Sequence, residues 1–245
     1  MPSYDRIARF YDAVMDDPAP RADRVARSIE RYRPEARSLL ELGCGTGSIL
    51  ARLAKVPFLT GLDRSPAMLA AAREKVPTAR FVEGDMSSFD LGERFDVVIS
   101  VFDSINHLVD FDAWRATFDR VHAHLTDSGL FVFDVNTTGE LRRLGADEPW
   151  VLDFEDGVMI MDVSYAEDGA DAGISEWEIR IFERAGPSID RYVLHHERIG
   201  ELAVTLERLK SALAERFELL EEGTKEDRVP TDESVKAYFA YRRRP

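Results

Sequence analysis

Ser38-Leu39-Leu40-Glu41-Leu42-Gly43-Cys44-Gly45-Thr46-Gly47 decides how this chain is read. An apolar run ends in glycines at alternate positions, and Ser48-Ile49-Leu50-Ala51-Arg52-Leu53 follows with helical spacing. That pattern predicts a strand, a glycine turn and a helix start. Such a turn brings backbone close to a ligand and points free N–H groups at it. The spacing is Gly-x-Gly-x-Gly, because Ser48 stands where a dinucleotide fold would place its last glycine. A turn of this kind also serves as a plain strand-to-helix connection, so the flanking chain has to decide.

Downstream, Pro57 closes the helix and Phe58 to Asp63 reads as strand two. Ser65 and Pro66 supply an N-cap and a first helical residue, Met68, Leu69, Ala72 and Val76 make an apolar stripe, and Pro77 stops it. Residues 79–85 read as strand three. Residues 95–101 read as strand four, the most continuous apolar run and therefore central and buried on both faces. Asp110 caps a helix with Phe111, Trp114, Phe118, Val121 and Leu125 on one side; Gly129 precedes strand five at residues 130–135. Upstream, Ile7, Phe10 and Tyr11 share a helical face ahead of Pro18 and Pro20. Residues 21–33 repeat Ala22, Val25, Ala26, Ile29 and Tyr32 at three- and four-residue steps. Both helices are expected over the mouth or flank of the sheet.

Strand and helix alternating in this way give an α/β fold, a Rossmann-like, doubly wound and mostly parallel sheet with right-handed crossovers. After Asn136 the apolar period changes to two, through Met159, Met161, Val163 and Tyr165, then Trp177, Ile179 and Ile181, then Ile189 to Ile199. Turns fall at residues 167–169 and 185–187. An antiparallel β insert of three or four strands is expected at residues 150–200, as a lid or dimerisation lobe. It sits on a core made by residues 1–149 and 201–245. A helix over residues 205–217 and strands at 217–222 and 235–242 return to the main sheet.

The 245 residues suffice for one sizeable domain with an elaboration; 44% are apolar and 32% charged. No apolar run approaches the ~20 residues of a membrane span. The start of the chain lacks the apolar segment of a secretory signal. A single cysteine makes an intrachain disulfide unattainable and points to a reducing, cytoplasmic setting. The net charge of −14 disfavours a nucleic-acid surface.

In a doubly wound sheet ligands bind beyond the carboxyl ends of the strands. Asp63 ends strand two twenty residues after Gly43, where an acidic side chain takes both ribose hydroxyls of a nucleoside; as a bland alternative it caps the next turn. Gly84-Asp85-Met86 ends strand three, where a carboxylate can accept from an adenine amine and a thioether can lie on the ring. Glu41 can orient the turn or sense a positive charge. His122 and His124 sit two apart in a helix and read as ordinary surface histidines. His195 and His196 point to opposite faces of a strand, so neither pair suits a metal.

Glu41 to Gly47, Asp63, Gly84-Asp85-Met86 and Phe95-Asp96-Val97-Val98 together resemble class I S-adenosylmethionine-dependent methyltransferases over residues 38–136. A narrower likeness runs along most of the chain. Tyr4-Asp5 and Tyr11-Asp12, the run Phe102-Asp103-Ser104-Ile105-Asn106-His107-Leu108, and His195-His196-Glu197 are similar to deoxyaminosugar N,N-dimethyltransferases. Small-molecule methyltransferases with the same β insert match nearly as well. The resemblance implies that Gly43 and Gly45 approach the methionine and ribose of the cofactor. Asp63, with Arg64 beside it, would take the ribose, and Asp85 with Met86 the adenine. Val101 would meet the sulfonium region through its backbone. Tyr11 would close over the cofactor while Tyr4 reaches the acceptor, although the family's tyrosines are eight residues apart and these are seven. Arg21 is either a partner for the methionine carboxylate or a solvated helix residue.

Methyl transfer from a sulfonium asks the protein to align a nucleophile behind the methyl carbon and exclude water. His107 is the candidate base or substrate-orienting group, with loop capping as its alternative role. Asp103 and Asn136, at the same sheet end, are candidates for binding a cationic or hydroxylated acceptor. The leading expectation is therefore S-adenosylmethionine-dependent methylation of a small molecule at an amine nitrogen, with no metal. O-methylation, RNA or protein methylation, and non-catalytic cofactor binding are the alternatives. The insert, through Trp177 and the Met159/Met161 face, is expected to roof the pocket or form a homodimer interface.

Overall fold

The computed structural model describes residues 4–186 and 191–245. In chain order the strands are β1 (Ser38–Leu42), β2 (Phe58–Asp63), β3 (Arg80–Glu83), β4 (Phe95–Ser100), β5 (Leu125–Asn136), β6 (Trp150–Phe154), β7 (Gly157–Glu167), β8 (Ala172–Arg184), β9 (Tyr192–Val204), β10 (Phe217–Gly223) and β11 (Lys236–Arg243). The helices are α1 (Tyr11–Val14), α2 (Ala19–Tyr32), α3 (Pro66–Lys75), α4 (Phe111–His124), α5 (Thr138–Leu144) and α6 (Leu206–Leu213). A seven-stranded sheet has the order β10-β11-β5-β4-β1-β2-β3, in which only β11 runs against the others. β6 to β9 make a separate antiparallel sheet of four strands.

The strand alternation shows why the main sheet is covered on both sides. Leu40, Val98, Phe131, Phe133, Phe239 and Tyr241 point into a core with Trp114 and Phe118 of α4 and Leu209 and Leu213 of α6. Their neighbours Leu39, Val97, Ile99, Leu130, Val132 and Ala240 point the other way, onto Val25 and Ile29 of α2 and Leu69 of α3. With a period of two, each strand feeds both layers. β4 is the middle strand and Val97, Val98 and Ile99 are fully buried, as its apolar run predicts. Ser65 and Asp110 cap their helices as expected, accepting from the backbone N–H of Met68 and Asp112. Among the described residues no helix is long and apolar enough to cross a membrane.

Several local expectations fail for identifiable reasons. Residues 48–56 form turns with a single 3-10 turn at Leu50–Arg52 rather than an α-helix. Ile49, Leu50, Leu53 and Val56 are buried all the same, because their spacing serves a turn as well as a helix. The first helix is reduced to a 3-10 turn and the four residues of α1. β5 starts at Leu125, five residues earlier than Gly129 suggests, and absorbs the extra length as an irregularity opposite β4. α5 is an unpredicted helix, capped by Thr137. α6 ends at Leu213 rather than at Phe217, which begins β10. His124 is no surface residue. It is buried, with Nδ1 on the Arg120 carbonyl (2.8 Å) and Nε2 accepting from the Leu91 N–H (3.0 Å). The expected strand start at Ile189 and the turn residue Pro187 lie outside the described residues; β9 is described from Tyr192.

The four-stranded sheet is held to the rest by two apolar seams. Ile7 and Phe10 pack on Met159, Ile179, Ile181 and Ile199, and Leu141 and Leu144 of α5 pack on Val163 and Ala203. Asn106 Nδ2 adds a polar tie, donating to the carbonyls of Asn136 in β5 (3.0 Å) and Leu202 in β9 (2.8 Å). The aromatic stack of Phe133 with Phe239 and Tyr241 lies at the centre of the first core layer. Phe133→Ala should therefore cost about 3–5 kcal/mol in urea denaturation. Phe58→Ala, at an exposed strand start, should stay within about 0.5 kcal/mol.

Candidate active site

The glycine turn is fixed by backbone contacts to the end of β2. Gly43 and Cys44 donate to the Leu62 carbonyl (2.8 and 3.1 Å), and Gly45 N–H donates to Asp63 Oδ2 (2.8 Å). Asp63 Oδ1 accepts from Ser65 N–H (2.8 Å), so one carboxylate holds both the turn and the start of α3. Burial raises the Asp63 pKa, and the backbone donors of Ser65, Gly45 and Arg64 work against that shift. Gly43 has φ +68, and a Cβ there would lie 2.8 Å from the Ser104 side chain; both facts demand glycine.

Two cavities, of ≈ 470 and ≈ 290 Å³, flank this turn and share Tyr11, Gly43, Gly45, Phe102 and Ser104 in their walls. The larger has an apolar floor from Leu62, Met68 and Met86. It is roofed by Ile174, Ser175 and Glu176 of β8 and by Arg198, Ile199 and Gly200 of β9. The smaller carries a cluster of charged and hydroxyl side chains in its wall. There Lys75 Nζ donates to Thr46 Oγ1 (2.9 Å) and Ser48 Oγ (2.7 Å) and pairs with Asp12, while Thr46 Oγ1 donates to Asp12 Oδ1 (2.6 Å). Burial works against ionising Asp12, but the Lys75, Thr46 and Ser48 bonds prevail and hold its carboxyl below the usual range. Glu41, 2% exposed, also lines this cavity, and its Oε2 has no partner among the described residues. Burial first, and then the Asp63 charge, push the Glu41 carboxyl well above the usual carboxylate range.

The corner after β4 is strained. Phe102 (φ +59) and Asp103 (φ +53) are consecutive left-handed residues, each costing about 1–3 kcal/mol. The surroundings hold them there. Asp103 N–H donates to Asp134 Oδ1 (2.6 Å), Asp103 pairs with Lys236 of β11, and Asn136 Nδ2 donates to Asp103 Oδ2 (3.0 Å). The Arg21 guanidinium lies 3.9 Å from the Phe102 ring centroid, with Nε 3.9 Å from Asp134 Oδ2. Beyond the corner, Ser104 Oγ donates to the Val101 carbonyl (2.7 Å), and His107 enters the larger cavity. His107 Nε2 and the Tyr4 hydroxyl share a hydrogen bond of 3.1 Å, and Tyr4 stands edge-on to Tyr11 at 5.8 Å. Burial lowers the His107 pKa against the pull of Asp103, the Gly200 backbone and Asp63, which leaves the imidazole neutral. Burial also raises Tyr4 and Tyr11, so both remain hydroxyls.

Of the residues predicted from sequence, Tyr4, Tyr11, Gly43, Gly45, Asp63, Arg64, Met86 and His107 line the larger cavity, and Glu41 and Val101 the smaller. The Val101 carbonyl is already taken by Ser104. Among the described residues, Asp85, Asp103 and Asn136 are the predicted site residues that line neither cavity. Asp85 accepts from Ser87 N–H (2.8 Å) and Oγ (2.6 Å) and lies 3.7 Å from Arg64 Nε. Asp103 and Asn136 sit at the expected sheet end, but their polar atoms are spent on each other, on Lys236 and on Glu201. Trp177 and Met159 do not roof the cavity; they pack on α5 and on the N-terminal segment, and other residues of β8 and β9 do so. Lys75, Thr46, Ser104 and Glu201 escaped sequence reading. Lys75 looks like an ordinary cation in the last turn of a helix; Thr46 and Ser104 stood inside quoted motifs, but nothing there gave their side chains a role.

The methyltransferase-domain family matches residues 39–129, which span the turn, Asp63 and β4. The dTDP-3-amino-3,6-dideoxy-alpha-D-glucopyranose N,N-dimethyltransferase of Streptomyces fradiae is 34% identical over 201 residues, 78% of this chain and 74% of that protein. The chain belongs to the S-adenosylmethionine-dependent methyltransferases. The putative methyltransferase YqeM of Bacillus subtilis is 32% identical over 80% of this chain and 79% of its own length. Among solved structures, that of SAM-bound CalS10, an amino pentose methyltransferase from Micromonospora echinaspora, superposes with a TM-score of 0.72 at 27% identity. It covers 91% of this chain and 90% of its own. As in the rest of the family, the cofactor of this methyltransferase is S-adenosylmethionine.

Lys236→Met tests what holds the corner. It leaves Asp103 buried without its ion-pair partner, and should cost about 3–5 kcal/mol at pH 7. Desolvation opposes ionisation of Asp103, yet the charge and hydrogen bond of Lys236 hold its pKa below the unfolded value. Its contribution is therefore present above the ordinary aspartate pKa and is lost as pH falls. The stability difference between wild type and variant in urea melts should accordingly shrink from pH 7 towards pH 3.

Proposed function

We propose that this methyltransferase acts on an amine nitrogen of a small polar molecule. The observation that carries the reading is the neutral His107 imidazole, joined to the Tyr4 hydroxyl at 3.1 Å in the wall of a cavity that also holds the Asp63 carboxylate. An ammonium acceptor must lose a proton before its lone pair can attack, and a neutral imidazole beside acidic groups attracts the cation and takes that proton. The names of the relatives agree in chemistry, since the Streptomyces fradiae protein is an N,N-dimethyltransferase of an aminosugar. The roof formed by β8 and β9 favours a small acceptor, and the net charge of −14 disfavours RNA.

The walls fit S-adenosylmethionine. When bound, it supplies an electrophilic methyl group on a good leaving group. The smaller cavity, with Asp12, Asp16 and Lys75, offers charges of both signs for its amino-acid end, and Glu41 lies in the same wall. Asp63, with Arg64 beside it, would take the ribose hydroxyls, and Leu62, Met68 and Met86 would offer an apolar floor to the adenine, with Arg64, 3.7 Å from Asp85, at its edge. Gly43 and Gly45 let the backbone come close, and Tyr11 covers the join between the two cavities. We assign the cofactor side to a core of residues 1–149 and 201–245, with residues 150–200 as its lid. The single cysteine, Cys44, is buried and free, which suits the reducing cytoplasm.

Calorimetry with S-adenosylhomocysteine should show tight binding to the wild type and at least about tenfold weaker binding to Asp63→Ala, each 1.4 kcal/mol being tenfold. Equal affinities would remove Asp63 from the cofactor site. On a panel of amines and alcohols, turnover should appear with amines. His107→Ala should lower kcat by about 10²–10⁴-fold without weakening S-adenosylhomocysteine. An unchanged pH profile in that variant would leave His107 a structural role only.

A further inference from the structure

We propose that Glu201 is the terminal proton acceptor of a relay leading from the acceptor end of the cavity, through the Tyr4 hydroxyl and the His107 imidazole, into the seam between β9 and β5. The proposal rests on the amine-methylation reading above. Its starting point is an unmatched atom: His107 Nδ1 is buried with no hydrogen-bond partner among the described residues, and a carboxylate oxygen, Glu201 Oε1, stands 3.9 Å from it, with the Gly200 backbone also facing the ring. Glu201 is 2% exposed on β9, and its other oxygen, Oε2, accepts from Asn136 Nδ2 (2.9 Å). Asn106 fixes the two partners relative to each other, since it lies in the same 3-10 turn as His107 and bonds the carbonyl of Leu202, next to Glu201. On the far side of the ring, Nε2 meets Tyr4, which faces the cavity. The 3.9 Å gap is longer than a hydrogen bond; contacts between groups that exchange protons commonly tighten only in the loaded complex.

The charges around the pair set its resting state. Burial, then Asp103 and Glu140, raise the Glu201 carboxyl, while the Asn136 bond and Lys236 lower it; the result is a group titrating at about 8. His107 faces Asp103, Asp63, Lys236 and the Gly200 backbone, and burial keeps it neutral. When Glu201 is protonated, Asn136 occupies Oε2, so the acid proton sits on Oε1 and points at Nδ1. The ring proton is then on Nε2, and the ring has no free lone pair towards the cavity. When Glu201 is ionised, the ring proton moves to Nδ1, opposite the carboxylate, and Nε2 accepts from Tyr4.

In the ionised form the relay can empty the substrate's proton inward. The ammonium N–H proton passes to the Tyr4 oxygen, the Tyr4 proton passes to Nε2, and the Nδ1 proton passes to Oε1. One N–H bond breaks on the acceptor and one O–H bond forms on Glu201. The substrate cation and the buried carboxylate both become neutral, and the amine keeps its lone pair for attack. Tyr4 gives up its proton as it takes the incoming one, so its oxygen stays a neutral hydroxyl, the form that its burial favours. Glu201 touches no substrate; it is a positioning residue that sets the His107 tautomer and stores the proton.

The test is 15N-resolved NMR of the histidine rings in the full, cofactor-free chain from pH 6 to 10, with His107 assigned by the signal lost in His107→Ala. In the wild type the protonated nitrogen of His107 should switch from Nε2 to Nδ1 with a midpoint near 8. Glu201→Gln should show one tautomer throughout. No switch in the wild type, or the same switch in the glutamine variant, overturns the relay; the wild-type result decides the matter even if the variant does not fold. Wild-type kcat should also rise about tenfold from pH 7 to 9, a limb that Glu201→Gln lacks while its S-adenosylhomocysteine affinity is unchanged. A switch in a protein that methylates no amine supports the relay and overturns the amine reading; amine methylation without a switch overturns the relay alone.

Discussion

The ion pair of Asp103 with Lys236 is the contact on which the active-site corner depends. Two charges inside a protein forfeit several kcal/mol of hydration each, and keep their place only when matched and hydrogen-bonded. Here the match extends beyond the pair. Lys236 and Arg21 face Asp103 and Asp134, and Asn136 bonds both Asp103 and Glu201. Two cations and two carboxylates balance only while Glu201 carries a proton, and burial among acidic neighbours is what keeps the proton there. Lys236 of the last strand thereby bears on the charge state behind His107, although it lines neither cavity.

That network is also what permits the strain. Left-handed Phe102 and Asp103 turn the chain sharply out of β4 and bring Ser104 against Gly43, so closely that a Cβ on the glycine would collide. The ends of β1 and β4 are where the strand order reverses, the crevice in which doubly wound sheets bind ligands. The glycine turn and the strained corner are two halves of one interlock. Asp63 anchors the first half to β2, and the buried ion pair anchors the second to β5 and β11.

The part of this arrangement that sequence reveals is the part held by local rules. A strand's alternation, a Ser-Pro cap and a glycine turn followed by an acidic strand end are written within residues 38–86, and the structure keeps them in place. Asp103 and Asn136 show the limit. Position along the chain puts them at the correct end of the sheet, but not whether their side chains are free, because their partner Lys236 lies 133 residues away from Asp103. The left-handed angles at Phe102 and Asp103 have no glycine to announce them. His124 looks like a surface residue because its helix carries charges, whereas its ring is consumed by the Arg120 carbonyl and the Leu91 N–H.

The same distinction separates the two ends of the site. In the proposed reading the donor side is built mostly from one stretch of chain, running from Glu41 to Met86, so its chemistry is legible there. The proposed acceptor side gathers Tyr4, His107 and the facing parts of β8 and β9, which only the tertiary fold brings together. β9 contributes Arg198, Ile199 and Gly200 to the roof and, at the next position, Glu201 behind His107. Ile199 of the roof and Glu201 are two positions apart and so share a face of β9; under the proposed relay one side of this strand both shapes the acceptor's space and sets the proton chemistry. Substitutions there would then alter which molecule enters and how its proton leaves, while the proposed cofactor side, anchored through Asp63, stays as it is.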